Sequence, residues 1–366
     1  MKLVPAARPA YPASLVDRME SAVAHFMFRR APSTKVRLSG GKPVQIDGNT
    51  LSPDLQLMLF MRKLAAGGGE GVVRNGPVEA RKLNRRESIL YQGPVIEVGD
   101  VREVTFDGGQ RARHYAPVSA PGDAPKPLLV FFHGGGFVVG DLDTHDAPCR
   151  FLCKHADVHV LAFEYRLAPE ATFPAAADDA LAAFRSAVRH AADLGADPKR
   201  IGVGGDSAGG NLSAVVSQQT RGERAPDFAI LIYPAVDRSQ PYPSQSMFAH
   251  GFLLTQDDIA FFDDQYFGGD PATRRDPRLS PLLNPDLSGL CPSVVITAGF
   301  DPLRDEGAAY AAALEKAGNS VTLRCERDLV HGFINMSGTS SACFDALMRI
   351  AEDTRTLSRA TRRPRA

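Results

Sequence analysis

Six short apolar runs constrain this chain more than any other feature. They lie at 128–132, 158–163, 201–205, 229–234, 294–299 and 321–325. Helical patterns over 174–192, 208–220 and 303–317 fill intervals between them. Continuous apolar strands separated by helices bury both faces of a sheet, which predicts an α/β chain with a mostly parallel sheet flanked by helices. Upstream, 95–106 and 111–117 alternate in polarity and read as antiparallel strands. Pro302 and nearby acidic residues suit the N-terminus of the helix over 303–317.

The flanking segments read differently. Leu15, Met19, Val23, Phe26 and Met27 share one helical face. A second, more apolar helix is expected over 54–64, with Asp54 placed to favour its dipole. Residues 31–50 read as loop, and Gly67–Gly68–Gly69 as a flexible joint. The segment 236–290 is too long for a simple connection and carries Phe252, Leu253, Phe261, Phe262 and Tyr266, which suits a lid or packing surface. The tail after Asp353 has five Arg and no acid, and a solvated tail is expected.

The 366 residues allow one large or two ordinary domains. Lys plus Arg number 42, as do Asp plus Glu, so no basic field marks a nucleic-acid partner. Pro5, Arg8, Pro9 and Pro12 interrupt any apolar leader, and no run of 18 uncharged apolar residues marks a membrane span. Cys149, Cys153, Cys291, Cys325 and Cys343 are odd in number and scattered. Free thiols in a reducing cytoplasm are expected, and no zinc site. The sequons at Asn211 and Asn335 carry no weight without a secretory route.

The chemistry concentrates in two glycine-rich turns. Gly205-Asp206-Ser207-Ala208-Gly209 follows one apolar run and precedes a helical pattern. A sharp strand-to-helix turn that pushes out a serine needs small neighbours, and a helix start behind it favours developing negative charge. A dinucleotide turn would need a glycine where Ser207 stands. His133-Gly134-Gly135-Gly136-Phe137 directly follows the run 128–132. Three bare amides there, with that of Ala208, can bind the oxyanion of an acyl-transfer intermediate.

The base and its orienting acid must come from elsewhere. His331 lies just past the last apolar run, where such a sheet presents its active edge. Asp301 begins the turn after 294–299, so the chain order is Ser207, Asp301, His331. Asp305 and Glu306 are rivals for the acid. They fall one turn later, where a helix start explains them.

With these residues assembled, the chain resembles the bacterial hormone-sensitive-lipase-like carboxylesterases, in the branch with Asp before the serine. The matching stretches are HGGGFVVGDLDTHD (133–146), YRLAPEATFPAA (165–176), GDSAGG (205–210), LIYP (231–234), DPLRDEG (301–307) and HGF (331–333). The resemblance implies an α/β-hydrolase fold with a helical cap. The cap would comprise 1–90 and 236–290, and the catalytic domain 91–235 and 291–366. It implies Ser207 as nucleophile, His331 as base and then acid, and Asp301 as its partner. Gly134, Gly135 and Ala208 would supply the oxyanion amides. Phe137, Asp206, Phe252, Leu253 and Phe333 are candidates for the substrate pocket. The implied reaction is hydrolysis of a small, short- to medium-chain ester without metal or cofactor. Amide cleavage by the same triad stays open. A non-catalytic receptor, like the plant gibberellin receptors on this fold, would lack a triad residue. Homodimers are common in the family, though no sequence feature marks one here.

Overall fold

A computed structural model describes residues 1–6, 26–65 and 76–360. In chain order the elements begin with strand β1 (Lys2–Pro5), helix α1 (Pro32–Leu38), the hairpin β2 (Gln45–Ile46) and β3 (Asn49–Thr50), and helices α2 (Pro53–Ala65) and α3 (Pro77–Tyr91). Then come β4 (Asp100–Thr105), β5 (Arg111–Ala116), β6 (Lys126–Phe132), α4 (Asp146–Ala156), β7 (His159–Glu164), α5 (Ala175–His190), β8 (Ala196–Asp206) and α6 (Ala208–Gln219). The remainder is β9 (Ala229–Ile232), α7 (Pro243–Met247), α8 (Gln256–Phe267), β10 (Ser293–Phe300), α9 (Arg304–Lys316), β11 (Val321–Val330) and α10 (Ser341–Arg359).

Among the described residues the main sheet has nine strands, ordered β1-β4-β5-β7-β6-β8-β9-β10-β11. From β7 to β11 every pairing is parallel, and β1, β4 and β5 extend the sheet antiparallel. All six apolar runs are strands of this sheet. Side chains alternate across a strand, so β6 supplies both faces. Leu128, Val130 and Phe132 enter one core with α5 and α6, while Leu129 and Phe131 enter the other with α4 and α10.

The flanks depart from the sequence reading. Residues 31–50 hold α1 and the β2–β3 hairpin rather than loop. Residues 2–5, within the span expected as cap, pair with β4 at the sheet edge. The antiparallel strand expected from 95 begins only at Asp100. Asp54 does lie in the first turn of α2, but it is buried and pairs with Lys35. Of the tail past Asp353, residues 354–359 continue α10, with Thr354 and Ser358 buried and Arg359 bonded to Asp157 at 2.8 Å, and 361–366 lie outside the described residues. The helix expected over 15–27 falls almost wholly outside the described residues, and Gly67–Gly69 entirely so.

Helices α3 and α8 and the turns around 253 lie over the carboxyl ends of the parallel strands, where they wall one cavity. Arg81 of α3 donates to Val138 O and Ala168 O, each at 2.8 Å, and pairs with Glu170. Arg85 pairs with Asp141 and Asp143. No helix among the described residues is long and apolar enough to cross a membrane.

Candidate active site

Ser207 stands between β8 and α6 with φ 53° and ψ −117°. A non-glycine residue at positive φ stores strain of about 1–3 kcal/mol and needs its surroundings to hold it. The hold is visible: Ser207 N donates to Ile232 O at 2.9 Å, and Ser207 O accepts from Asn211 N at 3.0 Å. The small neighbours are required by space. A Cβ on Gly205 would come within 2.3 Å of Phe132 O, and one on Gly209 within 1.9 Å.

Three strand ends bring the polar groups together. Asp301 follows β10, His331 follows β11, and Ser207 follows β8. His331 Nε2 lies 3.0 Å from Ser207 Oγ, and His331 Nδ1 lies 2.8 Å from Asp301 Oδ2. Asp301 is fully buried, and its Oδ1 accepts from Leu303 N at 2.8 Å. An acceptor on Nδ1 fixes the proton there, which leaves the Nε2 lone pair facing the serine hydroxyl. The rival acids serve elsewhere. Asp305 accepts from Ser244 N at 2.9 Å, and Glu306 accepts from Val236 N at 2.7 Å. Burial pushes the Glu306 carboxyl up to about 7 despite Arg238 beside it.

The glycine turn corrects one expectation. The Gly134 amide donates to Asp206 Oδ1 at 2.8 Å, because a buried carboxylate sits beside it and an N–H makes one good hydrogen bond. Among the described residues, no protein acceptor takes the amides of Gly135, Gly136 or Ala208. Gly135 and Gly136 have φ of 119° and 57°, a backbone open to glycine. Asp206 also meets His145 Nε2 at 3.2 Å. Burial alone would raise its carboxyl, but His145 and the Gly134 amide hold it below the ordinary carboxylate range. Asp206 thus supports the turn and also forms part of the cavity wall.

The cavity encloses about 120 Å³ and includes Ser207, His331 and all three glycines in its wall. Of the expected pocket residues, Phe137, Asp206 and Leu253 line it. Phe252 and Phe333 do not. Phe252 packs on Phe248 and Phe300 at 5.5 and 5.3 Å, and Phe333 is buried against Tyr233 at 5.2 Å. Further walls come from α8, through Ile259, Phe262 and Tyr266 of the segment read as a lid or packing surface, and, unforeseen, from α3, through Asn84, Ser88 and Tyr91. The α8 residues share a helical face after the Thr255–Asp258 capping box, a signal present in the sequence. Helix α3 has no apolar stripe to announce it. Among the described residues, no group of three or more His, Cys, Asp or Glu is placed to hold a metal ion.

Residues 129–335 match the family model described as alpha/beta hydrolase fold. The carboxylic ester hydrolase LipN of Mycobacterium tuberculosis is 48% identical, over 82% of this chain and 81% of its own. The chain belongs to the hormone-sensitive-lipase-like carboxylesterases. Another relative, the ethyl acetate hydrolase of Pseudomonas putida, is 37% identical over 83% of this carboxylesterase and 98% of its own length. Among solved structures, the ester hydrolase EH1AB1 from the metagenome of Lake Arreo superposes with a TM-score of 0.78 at 38% identity. The match covers 84% of this carboxylesterase and 98% of that chain.

Proposed function

We propose that this carboxylic ester hydrolase works through an acyl-enzyme on Ser207. The observation that carries the reading is the unbroken line of hydrogen bonds from Ser207 through His331 to Asp301, at 3.0 and 2.8 Å. His331 Nε2 takes the Ser207 proton as Oγ attacks the ester carbonyl. The developing oxyanion is bound by the amides of Gly135, Gly136 and Ala208, near the start of α6. His331 then protonates the leaving alcohol, and water repeats the sequence on the acyl-enzyme. Asp301 holds the imidazole in the tautomer each step needs.

The described residues at 26–65 and 76–90 and those at 236–290 act as a cap over the site. The substrates are small esters of short to medium acyl chain. The small cavity, about 120 Å³, supports this, as does the ethyl acetate hydrolase among the relatives. Five cysteines outside any disulfide, four of them buried, support a cytoplasmic location.

The test is a panel of nitrophenyl esters of graded acyl length with Ser207→Ala as control. Ser207→Ala or His331→Ala lowers kcat by about 10⁴–10⁶. An active Ser207→Ala protein overturns the reading, and activity rising steadily to very long chains overturns the cap.

A further inference from the structure

Two carboxamides in the cavity wall have oxygens without partners. Asn84 comes from α3, and Asn335 from the single 3₁₀ turn Phe333–Met336 that follows His331. The Oδ1 of each is shut away from solvent and accepts no hydrogen bond among the described residues. Asn335 Nδ2 faces His145 Nε2 at 3.4 Å, which leaves the oxygen as its free end. Buried polar atoms are nearly always paired, and an orphan in a reaction cavity marks where a ligand completes the bond. Ser88 adds a hydroxyl to the same wall, whereas Phe137, Ile259 and Phe262 make apolar surface elsewhere in the cavity.

The geometry of ester cleavage says which half of the substrate meets these groups. The leaving oxygen receives its proton from His331 Nε2, so it must sit within hydrogen-bond reach of that atom. The carbon chain on that oxygen then runs past the wall that His331's own turn builds. Asn335 lies four residues after His331 on that turn. The acyl half meets the other surfaces.

We infer that the alcohol half of the substrate carries two hydroxyl groups, one donating to Asn84 Oδ1 and one to Asn335 Oδ1. The substrate class is the monoester of a triol or larger polyol with a small carboxylic acid. A hydroxyl both donates and accepts, so it satisfies either end of a carboxamide. An alkyl alcohol leaves both oxygens unpaired, and sites built to bind a hydroxyl reject analogues lacking one. Asn84 and Asn335 are specificity-determining residues in this assignment, which rests on the esterase reading above.

The experiment compares propyl butyrate with 2,3-dihydroxypropyl butyrate, following butyric acid release by the full chain. Each kcat/KM is divided by that ester's own alkaline hydrolysis rate. The expected result is a preference of at least about tenfold for the hydroxylated ester, falling several-fold in Asn84→Leu and in Asn335→Leu. The wild-type ratio needs no variant to fold. Cleavage of propyl butyrate with no preference overturns the alcohol assignment and leaves the esterase reading standing. Failure to cleave either ester, or nitrophenyl butyrate, overturns both.

Discussion

Asp206 Oδ1 accepts the Gly134 amide at 2.8 Å, joining the nucleophile turn to the glycine turn 72 residues earlier in the chain. The fit is close: a Cβ on Gly134 would lie 2.4 Å from Asp206 Oδ2. The residue before Ser207 therefore sets where the next amides, those of Gly135 and Gly136, are held. Removing an oxyanion donor costs about 10²–10³ in kcat, and misplacing two gives a comparable loss. Asp206→Ala is expected to lower kcat on nitrophenyl butyrate by about 10–10³ while KM changes less. Steady-state kinetics check it, and an unchanged kcat removes Asp206 from any positioning role.

Gly136 couples the same turn to the proposed cap. A Cβ there would lie 2.3 Å from the Phe262 ring, and φ is 57°. Gly136→Ala must displace Phe262 and adopt a left-handed backbone, which costs about 1–2 kcal/mol alone. A drop in kcat/KM of about 10–100-fold is expected. In a Phe262→Ala background the clash is gone and the further loss shrinks to the backbone part. A double-mutant cycle measures this coupling, and additive losses contradict it.

Arg81 fastens α3 to the loops beneath it through two carbonyls and Glu170. The ion pair with Glu170 is half exposed and worth little, so the carbonyl bonds carry the effect. Arg81→Met leaves Val138 O and Ala168 O without this donor. KM is expected to rise severalfold, with faster amide hydrogen exchange over residues 77–91. Unchanged exchange there means that α3 is held by other contacts.

The sheet was legible because strands buried on both faces write themselves as unbroken apolar runs, and six of those runs were present. Ser207, Asp301 and His331 were legible because each follows such a run, and strand ends are where a parallel sheet gathers polar groups. The Gly134 amide was misjudged. Sequence spacing puts three amides in the turn but does not say which one Asp206 captures. Phe252 and Phe333 failed as pocket residues because aromatic content does not say which way a ring turns; both pack inward. Asn84 was invisible. Helix α3 is polar on most faces, and its place over the site depends on Arg81 and Arg85 finding partners far along the chain.

His114 in β5 and His159 in β7 form a buried pair away from the cavity, with Nε2 and Nδ1 2.9 Å apart and rings stacked at 5.1 Å. Burial first, and then the neighbouring His159, holds His114 down to about 3. Burial and then Lys126 hold His159 down to about 4. The unfolded chain takes up protons on both near 6.5, so below that pH unfolding binds protons that the folded state refuses. Stability is full above about 6.5 and falls as pH drops toward 4, by at most about 1.4 kcal/mol per pH unit for each histidine. Glu306 works oppositely: its carboxyl is raised to about 7, so its contribution declines as pH rises from 4.5. The difference between wild type and His159→Gln cancels Glu306 and isolates the pair. Melting temperatures from pH 4 to 8 are expected to fall less steeply with acid in the variant. Parallel curves would mean that the pair takes no part in acid unfolding.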